Sequence, residues 1–407
     1  HSEVQILLSR DASLLRRVFP VLGCVAALAA APQRDINLPD VQDLRRRAFA
    51  ALRELLARLG DRRPILLFID DLQWGDIDSG LLLAELVRPP DAPVLLLLGS
   101  YRSEESETST CVRALRETQD RLGIAPDRCE IAVEALSQAE ASELARALLG
   151  AAAPVEQVEA IARESGGNPL FVQELVQYLQ SGGQAEALAT GLRAVTLDQM
   201  LWERVQRLAA DERRFLEIVA VAGRPLGQTL ARQAAELETD ERALVARLRA
   251  GWLIRGTGSA EREEIETYHE RVRETVTRHL SAATLAARHR RLAQVLESSG
   301  QTDAELVAVH LHGAGEVARA GACYARAADR AADALAFDRA ARLYRSSLEL
   351  RTVDGEEERQ LRIHLAETLA NAGRGAEAAR EYLQAAAEAR EDEALDLRGR
   401  AALHFLT

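Results

Sequence analysis

Pro64-Ile65-Leu66-Leu67-Phe68-Ile69-Asp70-Asp71-Leu72-Gln73-Trp74 is the stretch on which the fold turns. Five large apolar residues follow Pro64 without alternation and run into two carboxylates. A continuous apolar run of that length suits a strand buried on both faces, as in parallel sheets covered by helices. In open parallel sheets ligands sit beyond the carboxyl ends of the strands, where Asp70 and Asp71 are expected. Magnesium bound to a nucleotide keeps most of its water and takes one or two protein carboxylates. A neighbouring acid can then orient or deprotonate an attacking water. The pair also reads as two solvated acids opening a turn, and only context separates the two readings.

Working outward, Val94-Leu95-Leu96-Leu97-Leu98 is a second apolar strand, ending in Gly99-Ser100-Tyr101-Arg102. A cation at that tip is placed to report on a terminal phosphate. The alternative for Arg102 is an ordinary ion pair with Glu104 or Glu105. Cys129 to Val133 reads as a short third strand. Upstream, residues 4–31 form a broken helix, and Pro32 and Pro39 bound an extended linker. Asp40 then caps a helix from Val41 to Leu59, with Leu44, Phe49, Leu52, Leu55, Leu56 and Leu59 as its buried stripe. Arg45, Arg46 and Arg47 read as a solvated helix face. After the acids, Ser79 to Val87 is expected to be helical, capped by Asp76 or Asp78.

Downstream, Ser137 and Glu140 stand at capping-box spacing. Glycines Gly166 and Gly167 end one helix and Pro169 opens the next. On structure alone this is a helix–helix corner, although an exposed Gly and Pro also lie flat against an adenine ring without clash. Ser181-Gly182-Gly183 and Gly191 form a hinge, and Thr196 with Gln199 caps the helix that follows. Residues 196–300 read as helices plus a β-hairpin of Trp252–Arg255 and Glu264–Tyr268, which together make a winged helix. His269 opens the next helix, where a lone His reads equally as a cap or surface residue. From 301 onward a small-x-x-Tyr-x-x-small rhythm recurs around Tyr324, Tyr344 and Tyr382. It suggests tetratricopeptide-like helix pairs, with a generic helical bundle as the alternative.

Bulk properties narrow the classes. Of 407 residues, 47% are hydrophobic, which is ample for real cores. A net charge of -12 offers no field for nucleic acid or anionic lipid. Four scattered cysteines, none in a metal-binding pattern, read as the reduced thiols of a cytoplasmic protein. No apolar stretch approaches the ~20 residues that span a bilayer. The chain begins at His1 and its one methionine is Met200, so it reads as a piece of a longer polypeptide. All 51 basic residues are Arg. A GxxxxGK[ST] phosphate loop (Walker A) is therefore excluded within these residues.

Taken together, residues 61–300 resemble the STAND class of signal-transduction ATPases, relatives of the AAA+ P-loop NTPases. The resemblance rests on an acid-ended strand of Walker B type, an arginine-ended strand, a Gly-x-Pro corner, a winged helix and a His-led helix. The "DDLQW" and "GGNPLFV" segments are similar to those of bacterial regulators that carry this ATPase beside a serine/threonine kinase or DNA-binding domain. The resemblance implies an α/β core of 1–135 with a partial P-loop parallel sheet and a helical lid of 136–195. A winged helix of 196–300 and all-α tetratricopeptide-like repeats of 301–407 follow. It implies ATP or ADP with Mg2+ as cofactors, Asp70 at the metal and Asp71 as the hydrolytic acid. Arg102 would be the sensor on the phosphate side, Gly167 and Pro169 would line the adenine site, and His269 would reach the phosphates of ADP. It also implies a protein partner or small-molecule inducer at the helical repeats, and self-association in the ATP state.

The chain departs from that family in lacking the phosphate loop, which supplies N–H groups, a Lys and a magnesium-binding hydroxyl. It is accordingly expected neither to bind ATP tightly nor to hydrolyse it alone. Two functions compete: the regulatory part of a nucleotide switch, and a non-enzymatic adaptor working through its helical array. A third, direct DNA binding by the winged helix, is disfavoured by acidic charge and the lack of a basic recognition helix.

Overall fold

The computed structural model describes residues 6–30, 41–122, 128–180, 197–237, 241–257, 264–300, 303–350 and 355–405. The Pro32–Pro39 linker, the Asp40 cap, the 181–191 hinge and the Thr196 cap lie outside the described residues. No described helix is long and apolar enough to cross a membrane. The chain divides into two compact units: residues 1–129, 303–308 and 317–407 form one, and 130–302 with 309–316 the other.

The first unit is built on strands β1 (Ile65–Ile69) and β2 (Leu95–Gly99). They pair in parallel, Ile65 opposite Leu95 and Ile69 opposite Gly99. Their inward residues Leu67, Ile69 and Leu97 pack on Leu72, Leu83, Leu86, Cys111 and Val112. These come from the turn after β1 and from helices Ile77–Leu86 and Thr110–Leu122. Gly99 lets the Leu72 side chain lie directly on the strand end, since a Cβ there would push it aside.

Burial on both faces, expected from the unbroken apolar run, is not observed. Leu66, Phe68, Leu96 and Leu98 are 63%, 55%, 62% and 49% exposed. The covering helices all lie against one face, and period-two alternation turns these four residues to the other. The third strand expected at Cys129–Val133 is also absent: this segment has no regular structure, and Ile131 and Val133 are exposed. Its composition favours a strand, but β1 and β2 alone make the sheet and no described strand pairs with it.

Helix Val41–Gly60 forms as expected, but its Arg45 is not solvated. Arg45 is almost buried, 2.9 Å from the carboxylate of Asp78, with its guanidinium over the rings of Phe49 and Phe337. Asp78 also accepts the backbone N–H of Arg339 at 3.1 Å. Burial raises the Asp78 carboxyl to about 6, with Arg45 and the Arg339 N–H opposing the shift. Leu14, Leu44 and Ala48 share a core with Leu335 and Phe337. The start of the C-terminal array is thus part of the same packed unit as the acid-bearing strand.

That array consists of helices Val317–Asp333, Phe337–Leu350, Glu356–Asn371, Gly375–Ala387 and Glu391–Phe405. The small-residue rhythm has a direct cause: helices approach closely where side chains are short. Ser347 is fully buried and its hydroxyl donates to the carbonyl of Gly321 at 2.8 Å. Tyr324, Tyr344 and Tyr382 are all buried.

In the second unit, helices Gln138–Leu149, Val155–Glu164 and Pro169–Gln180 enclose a core around Val158, Ile161, Val172 and Leu175. Ser137 and Glu140 form the capping box, with the Ser137 N–H donating to the Glu140 carboxylate at 2.8 Å. Helices Leu197–Gln206 and Ala210–Ala222 follow. Then come β3 (Leu226–Gly227), helices Gln228–Ala234 and Glu241–Ala250, and the hairpin β4 (Ile254–Thr257) and β5 (Glu264–Thr267). β5 lies between β3 and β4 in an antiparallel sheet. Helices Glu270–His279 and Ala282–Ser298 complete the unit's long elements.

Candidate functional site

Because β1 and β2 run parallel, their carboxyl ends emerge side by side. Ile69 pairs with Gly99, so Asp70 and Ser100 are the next residues on each strand. The Ser100 hydroxyl donates to the Asp70 carboxylate and accepts the Asp71 N–H at 3.0 Å. The backbone closes around it: Ser100 N–H donates to the Ile69 carbonyl at 3.0 Å, and Leu72 N–H to the Ser100 carbonyl at 2.8 Å. Asp71 has φ +55, a left-handed conformation that lets the chain turn sharply after the strand. Asp70 and Asp71 are both exposed at this tip.

Gln73, buried beneath the turn, links Asp71 to the second strand's end. Its amide nitrogen donates to Asp71 at 2.8 Å, and its amide oxygen accepts the Arg102 N–H at 3.3 Å. The Arg102 guanidinium itself lies 3.8 Å from Glu105, which is the ion-pair alternative expected for it. Asp70, Asp71 and the backbone of Arg102 therefore belong to one hydrogen-bonded cluster. Ser100 and Gln73, which hold the cluster together, were not singled out from sequence. Aligning the two strand ends in parallel register places Ser100 beside Asp70 and is the signal that finds it.

Among the described residues no three His, Cys, Asp or Glu side chains are grouped to hold a metal. The exposed tip suits the one or two carboxylates that nucleotide-bound magnesium accepts. The phosphate side does not fit: in 407 residues with no lysine, nothing supplies the ammonium of a phosphate loop. The residues present therefore match the metal side of a metal–nucleotide complex and not its lysine-bearing phosphate loop.

The remaining sequence-selected residues lie in the second unit. Gly167 has φ +78, and a Cβ there would lie 2.2 Å from the carbonyl oxygen of Leu136. The Leu136 N–H donates to the Gly167 carbonyl at 2.8 Å. Only glycine satisfies both the backbone angle and this close approach. Asn168 caps the following helix, its side-chain oxygen accepting the N–H groups of Leu170 and Phe171 at 3.0 and 3.3 Å. Pro169 forms part of a cavity of about 360 Å³, whose wall also includes Leu148, Gln173, Trp252 and Tyr268. Trp252 and Tyr268 meet edge to face with ring centroids 4.9 Å apart. His269 is exposed and caps helix Glu270–His279, its Nδ1 accepting the Arg271 N–H at 3.1 Å. Pro169 and Tyr268, the residue before His269, thus face one cavity, whereas Gly167 is committed to the backbone of the corner.

Comparison with known proteins adds the following. A family model described as a domain of unknown function (DUF8739) matches residues 137–186, the span that contains the Gly167–Pro169 corner. No curated protein matches the chain. Among solved structures, the chain is similar to a signal transduction ATPase with numerous domains (STAND) protein with a tetratricopeptide repeat sensor from Pyrococcus horikoshii. The TM-score is 0.45 at 14% identity, covering 88% of this chain and 53% of the other. The chain thus spans about half the length of that protein.

Proposed function

We propose that this chain is the acid-bearing and sensing portion of a nucleotide-dependent signalling switch of STAND type. The observation that carries the reading is the tip of the parallel strand pair. Two exposed carboxylates follow one strand, a serine and an arginine follow the other, and the serine hydroxyl joins the Asp70 carboxylate to the Asp71 backbone N–H. In this reading Asp70 would face the metal of a bound ATP or ADP, Asp71 would orient the attacking water, and Arg102, now 3.8 Å from Glu105, would be the sensor on the phosphate side. The phosphate-cradling loop would come from outside these 407 residues, a reading that the absence of lysine among them supports. The open apolar face of β1 and β2 would then be covered by the segment that brings that loop.

The second unit supplies the rest of the switch. Pro169 would lie against the adenine ring, and the helices with their three-stranded antiparallel sheet would act as a winged helix presenting His269. The helical array would act as tetratricopeptide-like repeats that receive a protein partner or inducer. Its first helices pack into the strand-bearing unit through Asp78 and Phe337, which gives a signal at the array a short route to the acids.

A second reading is favoured by the missing lysine: an adaptor in which the array alone functions. Calorimetry with Mg-ATP on the 407-residue chain and on the intact gene product separates them. The switch reading expects no micromolar binding to the 407 residues and clear Mg-dependent binding to the intact product. Failure of the intact product to bind nucleotide would leave the adaptor.

A further inference from the structure

Pro169 and Gln173, one helical turn apart, share a face of helix Pro169–Gln180 and both line the cavity of about 360 Å³. Leu144 and Leu148, spaced in the same way on helix Gln138–Leu149, form a second wall. Trp252 and Tyr268, which flank the β4–β5 hairpin, form the third. All of these residues belong to the second unit. The volume of about 360 Å³ is at the small end of the roughly 300–1,000 Å³ of ligand cavities. No charged side chain is among the described residues that line it. An uncharged, largely apolar enclosure suits a ring rather than a phosphate.

Two observations go beyond shape. Trp252 has φ +54, a left-handed backbone that bulky residues rarely adopt and that gathers at ligand-binding positions. Its ring is 40% exposed rather than committed to the core, so packing does not account for the strain. The backbone nevertheless fixes both rings: the Trp252 N–H donates to the Arg249 carbonyl at 2.9 Å and the Tyr268 N–H to the Leu253 carbonyl at 3.0 Å. The second observation concerns the polar groups. The Gln173 amide, the Trp252 Nε1–H and the Tyr268 hydroxyl have no hydrogen-bond partner among the described residues. A few unpaired polar groups converging on an apolar cavity is the pattern of a small-molecule site.

We infer that this cavity binds an adenine ring, held by its faces between Pro169 and the Trp252–Tyr268 pair and selected at its edge by Gln173. The inference rests on the reading that lays Pro169 against adenine, and adds the residues that choose that base. An amide side chain offers an acceptor oxygen beside a donor nitrogen. Adenine presents the complement, its N6 amino group as donor beside N7 as acceptor. Guanine and hypoxanthine place two acceptors, O6 and N7, along the same edge, and the Gln173 oxygen would face one of them unpaired. Aromatic faces hold any base, so the rings supply affinity and Gln173 supplies the choice.

Adenosine is the probe and inosine, which carries O6 in place of the amino group, is the comparison. Calorimetry on the full 407-residue chain should show weak but saturable adenosine binding. Inosine should bind about tenfold less tightly, the discrimination carried by a matched amide–base pair. Gln173→Ala and Gln173→Leu should each bring the two nucleosides to within about twofold of one another while inosine binding holds. Trp252→Ala should weaken both alike by about tenfold, the loss of a stacking face. Arg163→Ala, an exposed position in the same unit, should change neither. Two substitutions at Gln173 keep the test decisive should one of them fail to fold. Adenosine that does not saturate the unaltered chain overturns the inference, as does an undiminished adenosine preference in a folded Gln173 variant, even where the intact gene product binds Mg-ATP. An intact product that binds no Mg-ATP, while the 407 residues bind adenosine in a Gln173-dependent way, overturns the switch reading and supports the adenine pocket.

Discussion

Asp78→Ala is the perturbation whose cost the structure specifies most closely. The Asp78 carboxylate lies 2.9 Å from Arg45 and accepts the Arg339 N–H at 3.1 Å. Its removal strands a guanidinium only 13% exposed together with a backbone donor. Breaking one side of a buried ion pair costs roughly 3–5 kcal/mol. Arg45 has little freedom to escape into water, because Phe49 and Phe337 hold it at 5.3 and 5.7 Å from their ring centroids. We therefore take about 3 kcal/mol, which in a unit of this size lowers the melting temperature by roughly 6–12 °C. Circular dichroism melting of Asp78→Ala, Arg45→Ala and the double variant reads this out. The double variant should cost at least about 1 kcal/mol less than the sum of the singles, because it leaves no uncompensated charge. The pair also has a pH signature. Burial raises the folded carboxyl to about 6 from its ordinary 3.8. The folded protein thus keeps a proton that the unfolded chain has released, and this contribution, full below about 4, is lost as pH rises through about 6. Asp78→Asn should remove that slope. A melting shift under about 2 °C for Asp78→Ala, or strictly additive singles, would refute the reasoning.

Two further outcomes follow from the same geometry. Phe68→Ser should cost less than about 1 kcal/mol in the 407-residue chain, because Phe68 is 55% exposed, whereas Leu67→Ser, on the inward face, should cost several times more; equal losses in urea unfolding would restore a strand buried on both sides. His310 is buried with its Nδ1 2.9 Å from Nδ1 of His289. Burial, with His289 and Arg224 adding to it, lowers its pKa to about 3 from 6.5, so the second unit should lose stability as pH falls from about 6.5 toward about 3. His310→Gln should flatten that dependence, measured as melting temperature against pH.

What was legible in the sequence was what neighbouring residues decide. The apolar runs at 65–69 and 95–98, the Ser137–Glu140 box and the Gly167–Pro169 corner depend on residues a few positions apart, and each is found where expected. The one-sided burial of β1 was not legible, because a run of Leu, Ile and Phe carries no period to say which face is covered. Arg45 was misread for a related reason. Its partner Asp78 and the Phe337 ring lie far along the chain, so no helical pattern distinguishes it from the solvated Arg46. The two-residue β3 exists only through Leu226 and Gly227 pairing with Ile265 and Glu264, whereas Cys129–Val133, whose composition suits a strand better, pairs with no described strand. Ser100 was visible in the text but gained meaning only from the register that sets it beside Asp70.

The central claim is that Asp70 and Asp71 form the metal-facing side of a nucleotide site. Its most direct test is Mg-dependent ATP binding and turnover by the intact gene product carrying Asp70→Asn and Asp71→Asn, singly and together. The account expects Asp70→Asn to weaken Mg-dependent nucleotide binding and Asp71→Asn to reduce turnover with binding retained. Unchanged affinity and turnover in the double variant would contradict it and leave the two acids as the solvated start of a turn.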